Sequence, residues 1–376
     1  MVDPSNLTGL LRRTANLYDG AADEFRTKDD EKREEEGREG GSGPELDMLV
    51  NAAGRARKLA DDIERVINLT ESTKSVYFVE HAGDTKSVTL GSLPIEVGPH
   101  LQRLLFDSEN FASVIATSAT LSTVVPNGGG GRLDFFVRSV GAWRASRLIV
   151  SSPFDLKKQS RLVIPWNSPD PKDLRAFENG IGKLVVQSIE QSRGRTLGLF
   201  ASKKRLDIVA ELVREKLGST YTILVQGEAP RQHLIRRFKE DESSVLLGTK
   251  SFWAGVDVPG RSLSCVVIDR LPFPPKDDPI VSWLEEAAAR ELLNPKRDPR
   301  ARKINIFYDY MLPKAIIALR QGVGRLVRAK DDRGVVVILD RRLTDESKYG
   351  ARVVDALGMG EPMQNINDIG DFLGRE

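Results

Sequence analysis

The sequence of 376 residues contains one cysteine, Cys265, and three histidines. A single thiol excludes an internal disulfide framework, and it excludes an iron–sulfur cluster or a zinc site built from several cysteines of this chain. It also fits a reducing compartment. The histidines, His81, His100 and His233, have no spacing typical of a metal site or a catalytic triad. We therefore predict no metal site within this chain.

Long apolar runs are lacking as well. No stretch approaches the ~18 consecutive apolar residues of a membrane span, and the N-terminus lacks the apolar core of a signal peptide. We therefore expect a cytoplasmic protein with no membrane partner. Lys and Arg number 56 and Asp and Glu number 54, for a formal net charge of +2. Any contact with nucleic acid must therefore come from local basic patches rather than from bulk charge.

The first part of the chain has a helical pattern that gives way to charge. Residues 21–43 contain almost no apolar side chain and end in glycine and serine, which predicts a solvated loop or a frayed helix end. Residues 44–70 have the apolar spacing of an amphipathic helix. Strand-like runs follow at 76–80 and 87–90. Residues 112–116, Ala-Ser-Val-Ile-Ala, predict a strand buried in a parallel sheet.

Beyond a proline-rich stretch at residues 165–171, strand and helix patterns alternate. The predicted strands are 196–201, 221–225, 245–248, 263–269 and 334–340. The predicted helices are 203–217, 230–239, 279–293 and 313–327. Apolar strands joined by helical crossovers predict a parallel sheet covered on both faces. Ligands of such sheets bind at the carboxyl ends of the strands.

The helix predicted at 313–327 has two different faces. At about 100° per residue its apolar residues gather on one side, and Gln321, Arg325 and Arg328 gather on the other. Two glycines, one of them Gly324, each weaken a helix by up to ~1 kcal/mol, which indicates a close approach to the backbone. Guanidinium groups bind phosphate oxygens bidentately and stay charged. The pattern therefore predicts a helix face directed at a phosphate.

A second loop with polar groups follows the strand predicted at 245–248. Thr249 and Lys250 offer hydrogen-bond donors suited to phosphate, and Gly255 permits a tight turn. Asp257 could accept a hydrogen bond from a ribose or from an arginine. The ring of Phe252 could belong to the core or form a stacking platform for bases, and its position beside an apolar strand favours the core.

A third loop carries the short hydroxyls Ser118 and Thr120. Ser118-Ala119-Thr120, the loop FWAGVDVPG at 252–260 and the segment QGVGRLVR at 321–328 occur in the order of the third, fifth and sixth helicase motifs. With these motifs the chain resembles the DinG/XPD group of superfamily-two ATP-dependent DNA helicases. The resemblance runs from about residue 76 to about residue 350.

The resemblance implies an α/β fold in three parts. Residues 166–376 would form the second RecA-like motor lobe, built on a parallel sheet. Residues 76–165 would be the C-terminal part of the first motor lobe, and residues 1–75 a helical, arch-like remnant with a charged loop.

The resemblance also implies roles on the nucleotide side of a cleft. Arg325 and Arg328 would be arginine fingers that approach the γ-phosphate of ATP and stabilise charge in the transition state, with Gln321 holding that geometry. The remaining residues of the nucleotide side would be Gly255, Asp257 and Gly324.

A further set of residues would face DNA or couple it to the nucleotide. Ser118 and Thr120 would link hydrolysis to movement of the lobes, Thr249 and Lys250 would couple the cleft to the DNA track, and Ser202 would hold phosphates of a single strand. Basic residues that could flank this track are Lys203, Lys204, Arg205, Arg231, Arg236, Arg237 and Lys239.

Two elements of the family pattern do not occur in this sequence. There is no Gly-x-x-x-x-Gly-Lys-Ser/Thr phosphate loop, and no strand ends in Asp-Glu-x-His. ATP with Mg²⁺ would therefore be bound mainly by an N-terminal motor lobe supplied in cis or in trans, and this chain alone would be inactive.

The predicted function is the C-terminal part of an ATP-dependent DNA helicase. It would couple hydrolysis to translocation on single-stranded or forked DNA and to unwinding, in DNA repair. The alternative is a non-enzymatic nucleic-acid-binding or regulatory module derived from a helicase lobe.

Overall fold

The structure is a computed structural model that describes residues 4–36, 44–69, 75–81, 88–118, 120–122, 133–150, 152–171, 173–252, 263–275, 277–289, 305–324, 326–327, 329, 331–344 and 349–374. The chain divides into two compact units. The first unit comprises Met1–Glu96 and Asp277–Glu286, and the second comprises Val97–Lys276 and Ala287–Glu376.

Helices account for most of the described residues. The α-helices are α1 (Pro4–Glu36), α2 (Pro44–Ile67), α3 (Gly98–Leu101), α4 (Asp134–Val140), α5 (Leu156–Gln159), α6 (Leu174–Gln191), α7 (Lys203–Leu217), α8 (Arg231–Glu240), α9 (Pro279–Ala289), α10 (Leu312–Val323), α11 (Gly350–Leu357) and α12 (Asp368–Leu373). π-Helical turns lie at Gln102–Phe106 and Ile306–Met311, and 3-10 turns at Lys250–Phe252 and Arg341–Leu343. Among the described helices, none has the length and apolar character needed to cross a bilayer.

The described strands form two sheets. The strands are β1 (Ser75–His81), β2 (Val88–Pro94), β3 (Ser160–Val163), β4 (Thr196–Phe200), β5 (Ile223–Val225), β6 (Val245–Thr249), β7 (Cys265–Ile268), β8 (Gly334–Ile338) and β9 (Gly360–Met363). In the first unit, β1 and β2 pair antiparallel. In the second unit, a seven-stranded sheet has the order β5-β6-β4-β7-β8-β3-β9, and every neighbouring pair is parallel.

The first unit contains a helical hairpin of α1 and α2. The buried positions of α1 recur every seven residues at Thr8, Ala15 and Ala22, and those of α2 are Ala53 and Ala60. A spacing of seven places residues on one helix face, and small side chains there let two helices approach closely. The helical segment predicted at the N-terminus is confirmed.

The prediction for the charged stretch is wrong in part. Helix α1 continues through Glu36, whereas residues 37–43 lie outside the described residues. Ala22 lies in the seam with α2, and Asp19 forms an ion pair with Arg57 of that helix. The stretch is also rich in Glu, Lys and Arg, which have high helix propensity. A partner helix therefore orders residues whose composition alone predicted a loop.

The seven-stranded sheet is covered on both faces, as the sequence predicted. All residues of β4, β7 and β8 are buried, because helices pack on each side. Side chains alternate between two cores along each strand. The core with α8, α10 and α11 includes Leu197, Val266, Ile268, Val336 and Ile338. The core with α6, α7 and α12 includes Phe200, Cys265, Val267, Val335 and Val337.

The outcome confirms the α/β fold class with a parallel sheet. The sheet includes β3, which begins at Ser160, six residues before the boundary predicted at residue 166. Pairing between β3 and β8 is therefore part of the lobe. The sequence signal for β3 is weak, because its four residues include Ser160 and Arg161.

One predicted strand is not formed. Residues 112–116 lie outside any strand or helix, although their sequence is typical of a buried strand. A strand exists only when its backbone groups pair with a neighbour. Among the described residues, no neighbouring strand pairs with this segment.

Cys265 lies at the start of the central strand β7 and has no exposed surface. Burial raises the pKa of its thiol to about 12, so the reactive thiolate is almost unpopulated at neutral pH. We expect the folded chain to remain unmodified by a thiol-specific disulfide reagent at pH 8, and to react with one equivalent after unfolding in urea. Rapid modification of the folded chain, measured by absorbance, would contradict the position of this strand.

Candidate nucleotide and nucleic-acid site

The loop after β4 is ordered by a helix cap. The Ser202 hydroxyl oxygen accepts a hydrogen bond from the Arg205 backbone N–H at 3.3 Å and caps the N-terminus of α7. Serine is a strong N-cap residue because it satisfies a backbone donor that the helix leaves unpaired. The predicted DNA-facing residue Ser202 therefore lies at the carboxyl end of the sheet, and its oxygen is already used in a cap.

Gln226 joins the loops that follow three adjacent strands. Its side-chain Oε1 accepts hydrogen bonds from the Thr249 backbone N–H at 2.7 Å and from the Thr249 hydroxyl at 3.0 Å. Its backbone carbonyl accepts one from the Lys203 ammonium at 3.1 Å, and Lys203 also pairs with Asp207 at 2.5 Å. The backbone segments at the carboxyl ends of β4, β5 and β6 are thereby held together.

The sequence reasoning missed Gln226. It follows β5, which has only three residues, and is followed by Gly227 with a φ of 104°, a conformation that favours glycine. A polar residue and a glycine directly after an apolar run were the available signal. The signal is weak alone, because strand ends often carry such residues.

The residues that follow β6 are described only in part. Thr249 ends the strand and Phe252 closes a 3-10 turn. Phe252 is buried in the core, and the Arg231 guanidinium lies 5.4 Å from its ring centre. The interpretation of Phe252 as a core residue is confirmed. The side chain of Lys250, and Gly255 and Asp257, lie outside the described residues.

A buried ion pair fixes the backbone at the same carboxyl end of the sheet. Asp269 directly follows β7, and its carboxylate accepts hydrogen bonds from the Ala201 backbone N–H at 2.8 Å and from Arg205 Nε at 2.7 Å. Because Ala201 precedes Ser202, this carboxylate positions the loop that carries the predicted DNA contact. Arg205, one of the basic residues that could flank the DNA track, has its side chain buried against Asp269.

Asp340 fixes a backbone segment in the same way, one strand further along the sheet. Its carboxylate accepts a hydrogen bond from the Leu271 backbone N–H at 3.1 Å and is gripped by Arg342 through Nε at 2.8 Å and a terminal nitrogen at 2.5 Å. Two buried aspartates thus tie down the backbone after β4 and after β7. Such bidentate pairs combine charge with a fixed geometry.

Electrostatics at this edge are dominated by burial and by a group of arginines. Burial raises the pKa of Asp269, and the Arg205 guanidinium opposes this effect. Burial also lowers the pKa of Arg270, as do the positive charges of Arg205 and Arg342. The hydrogen bonds to Asp340 raise the pKa of Arg342. Arginines stay protonated at neutral pH, so the region holds permanent positive charge.

The third predicted loop contacts α10. The Ser118 hydroxyl oxygen accepts a hydrogen bond from the Thr120 backbone N–H at 3.2 Å and lies 3.3 Å from the Thr120 hydroxyl. Two residues further on, Ser122 accepts hydrogen bonds from the Arg320 guanidinium at its backbone carbonyl and, at 2.7 Å, at its hydroxyl. Gln321 is the next residue of α10 and is exposed.

The helix predicted at 313–327 is shorter than expected. Helix α10 ends at Val323, and Gly324 is its C-cap, donating its backbone N–H to the Arg320 carbonyl at 2.9 Å. Leu326 lies beyond the helix and is buried in the core. Gly324 has a φ of −62°, so its backbone conformation does not require glycine. Arg325 and Arg328 lie outside the described residues, and their predicted role stays a prediction.

A magnesium site does not fit the residues that the structure describes. Within the described ranges, no three His, Cys, Asp or Glu residues come together in a way that could hold a metal ion. The carboxylates at the sheet edge, Asp269 and Asp340, are already neutralised by arginines.

Comparison with known proteins gives the family. A family model described as a helicase C-terminal domain matches residues 185–359. The ATP-dependent DNA helicase YoaA of Haemophilus influenzae is 34% identical over 334 residues, which cover 87% of this chain and 49% of that protein. The ATP-dependent helicase DinG of Mycobacterium tuberculosis is 35% identical over 283 residues, which cover 73% of this chain and 39% of that protein.

The fold agrees with these relatives. A solved XPD helicase structure matches with a TM-score of 0.50 and 18% identity over 86% of this chain and 56% of that chain. The chain spans about half the length of YoaA and less of DinG. With the seven-stranded parallel sheet, the match to the family model shows that residues 185–359 of the chain belong to the helicase C-terminal domain family, and the chain is similar over most of its length to the ATP-dependent helicases YoaA and DinG.

Proposed function

We propose that this chain is the C-terminal part of an ATP-dependent DNA helicase that couples hydrolysis to translocation on single-stranded DNA and to duplex unwinding in DNA repair. Its first motor lobe, in the same polypeptide or in another, would supply the phosphate loop and the Mg²⁺ ligands. A cytoplasmic location belongs to the same proposal. So does the division into an arch-like part, the end of a first lobe and a second lobe.

The observation that carries the proposal is the link through Gln226. Ser202, predicted from sequence to hold phosphates of a single strand, follows β4, and Thr249, predicted to couple the nucleotide cleft to the DNA track, ends the neighbouring strand β6. Gln226 ties Thr249 to Lys203, the residue after Ser202. A row of amides, hydroxyls and an ammonium at one sheet edge is suited to the phosphates of a single strand.

The nucleotide side of the proposal rests on α10 and the segment after it. Gln321, Arg325 and Arg328 would approach the γ-phosphate, and the guanidiniums would stabilise the charge that develops on the transferred oxygens. Gly255, Asp257 and Gly324 would shape that side of the cleft. When bound, Mg²⁺ would neutralise charge on the phosphates, held mainly by the first lobe.

The test is reconstitution with a first lobe expressed separately. The probe is the part of Haemophilus influenzae YoaA that lies outside its match to this chain. We expect the mixture to hydrolyse ATP when single-stranded DNA is added, and each component alone to be inactive. If the two components bind each other but the mixture does not hydrolyse ATP, the proposal that this chain is part of a helicase motor is contradicted.

A non-enzymatic nucleic-acid-binding module remains the second candidate. The observation that favours it is the lack of a phosphate loop and of an Asp-Glu-x-His segment in this sequence. The module predicts DNA binding by this chain with no activity in the reconstituted mixture. Restored hydrolysis would rule it out as the full description.

A matched pair of lysines on α7 tests the DNA track. Lys203 is the first residue of this helix at the carboxyl edge of the sheet, whereas Lys216 lies near its other end, about 20 Å away at 1.5 Å per residue. We expect Lys203→Ala to reduce the slope of log K against log salt by about 0.7, the value for one phosphate contact on a single strand. Lys216→Ala should leave the slope unchanged.

The measurement is fluorescence anisotropy with a labelled oligothymidine at several salt concentrations. Equal slopes for both variants would show that the single strand does not cross this edge. Binding by the unsubstituted chain that is indifferent to salt would argue against a phosphate track anywhere on the chain.

A further inference from the structure

Three arginines lie close together at the carboxyl ends of three neighbouring strands. Arg205 lies in the first turn of α7, after β4, whereas Arg270 follows β7 and Arg342 follows β8. These strands are adjacent in the sheet in the order β4-β7-β8. Burial lowers the pKa of Arg270, and the positive charges of Arg205 and Arg342 lower it further. Because like charges repel, such a group of arginines needs negative charge close by.

Two of the three arginines have a carboxylate partner. Asp269 accepts a hydrogen bond from Arg205, and Asp340 accepts two from Arg342. Both carboxylates also attract Arg270. Neither lies within ion-pair distance of it, and none of the residues that the structure describes forms an ion pair with Arg270. Arg270 is therefore the guanidinium of this group whose charge has no direct partner.

Two contacts hold the Arg270 guanidinium in place. Its Nη2 donates a hydrogen bond to the Pro171 carbonyl at 2.6 Å, and the group lies 4.4 Å from the ring centre of the buried Phe177. The Pro171 carbonyl is its one hydrogen-bond acceptor within the described ranges, and Nε is buried without a partner. Arg270 as a whole is only partly buried. A positioned guanidinium with unused donors is suited to an anion, and phosphate oxygens match its donors best.

The arginines continue the row of polar groups that is proposed to face a single strand. Ser202 follows β4, the strand next to β7, and neighbouring strands lie about 4.8 Å apart. Asp269, which precedes Arg270, accepts a hydrogen bond from the Ala201 backbone N–H. The backbone before Ser202 and the backbone before Arg270 are thereby joined. Arg270 thus lies one strand beyond Ser202 at the same end of the sheet.

We propose that Arg270 binds a phosphate group at the carboxyl ends of β4, β7 and β8, through hydrogen bonds from its guanidinium to the phosphate oxygens. Arg205 and Arg342 add to the positive potential around it. The phosphate belongs to a single DNA strand, an assignment of the source that rests on the proposed function. Inorganic phosphate has the same chemistry and is the other source to be tested.

Arg161 provides a matched control for a structural role of Arg270. It is also partly buried, its guanidinium lies 4.7 Å from the ring centre of Phe372, and it donates hydrogen bonds to two backbone carbonyls. It lies near the amino end of β3, at the opposite end of the sheet. The two arginines therefore share their structural contacts and differ in their place on the sheet.

The test measures binding of the whole chain to a labelled oligothymidine by fluorescence anisotropy at several salt concentrations. We expect Arg270→Met to reduce the slope of log K against log salt by about 0.7, the value for one phosphate contact on a single strand. Arg161→Met should leave the slope unchanged. Arg270→Lys should keep the slope because the charge remains, but it should bind about 10-fold more weakly, since an ammonium lacks the planar fork of donors.

Inorganic phosphate distinguishes the two sources. The whole chain is titrated with it by calorimetry at constant ionic strength, with chloride as the replaced anion. A reduced slope in Arg270→Met assigns the site to the strand. Equal slopes, together with phosphate binding that is lost in Arg270→Met and kept in Arg161→Met, support the phosphate site and assign it to the free anion.

The outcomes also separate this site from the proposed function. If Arg270→Met matches the unsubstituted chain in both measurements, the site is overturned, and a slope reduced by Lys203→Ala leaves strand binding intact. Equal losses in Arg270→Met and Arg161→Met would overturn it too, in favour of a structural role. If the chain binds no oligothymidine, the proposed function fails and the phosphate titration alone decides the site. Circular dichroism checks the fold, and Arg270→Lys provides the result if Arg270→Met unfolds.

Discussion

Replacing Arg328 by alanine is expected to reduce DNA-stimulated ATP hydrolysis by the reconstituted enzyme about 1,000-fold, the lower end of the range for an arginine finger. The guanidinium would contact the phosphoryl group mainly in its transition state, so kcat should fall far more than KM changes. Arg328→Lys should stay close to the alanine variant, because an ammonium lacks the planar fork of donors. The measurement is steady-state phosphate release at saturating single-stranded DNA.

The matched control for this variant is Arg333→Ala. Arg333 is exposed, lies immediately before β8 and donates a hydrogen bond to the Phe372 carbonyl. Its replacement by alanine removes the same charge from the same region of the sequence. Hydrolysis by this variant should stay within about twofold of the unsubstituted enzyme. A fall in Arg328→Ala that is matched by an equal loss of DNA affinity would assign the arginine to the DNA track instead of the nucleotide.

Removing the Asp269 carboxylate is expected to destabilise the second unit by about 3–5 kcal/mol, the cost of leaving a buried charge without its partner. Asp269 has no exposed side-chain surface and Arg205 is only 10% exposed. In Asp269→Ala the Arg205 guanidinium and the Ala201 backbone N–H both lose their acceptor. The measurement is urea denaturation followed by tryptophan fluorescence.

A surface pair provides the comparison for this stability effect. Glu228 pairs with Arg214, and both side chains are almost half exposed, so Glu228→Ala should cost below about 1 kcal/mol. The double variant Arg205→Met with Asp269→Leu should recover part of the loss, because two apolar groups replace two charges. A loss in Asp269→Ala no larger than that of Glu228→Ala would show that this pair does not hold the sheet edge.

Much of the second unit could be predicted from its sequence because its strands are buried on both faces. Continuous apolar runs such as those of β4 and β8 have few alternatives in a chain that alternates strand and helix. Helix α7 begins and ends where the pattern predicts, since Ser202 caps it and its apolar spacing is regular. Local signals and tertiary packing agree in these elements.

The strand predicted at 112–116 shows where such reasoning fails. Apolar, β-branched residues indicate that a segment prefers a buried, pleated surface, but a strand also needs a neighbouring strand to pair with. The prediction for the charged end of α1 fails in the opposite direction, because α2 orders residues whose composition predicted a loop. In both cases the deciding factor is a partner that a local pattern does not contain.

The sequence predicted the residue types of the candidate site better than the hydrogen bonds that join them. Ser202 and Thr249 could be read from motifs, whereas Gln226 and Asp269 act through hydrogen bonds between loops that are distant in sequence. The end of α10 was misplaced because the apolar spacing continues through Leu326 although the helix stops at Gly324. Periodicity alone does not identify a C-cap.

The contact between Arg320 and Ser122 makes different demands on its two positions. One of the two acceptors is a backbone carbonyl, which every amino acid possesses. Position 122 should therefore accept most substitutions, whereas position 320 requires a long cationic donor. In a saturation library of the active enzyme, survivors should be diverse at 122 and restricted at 320.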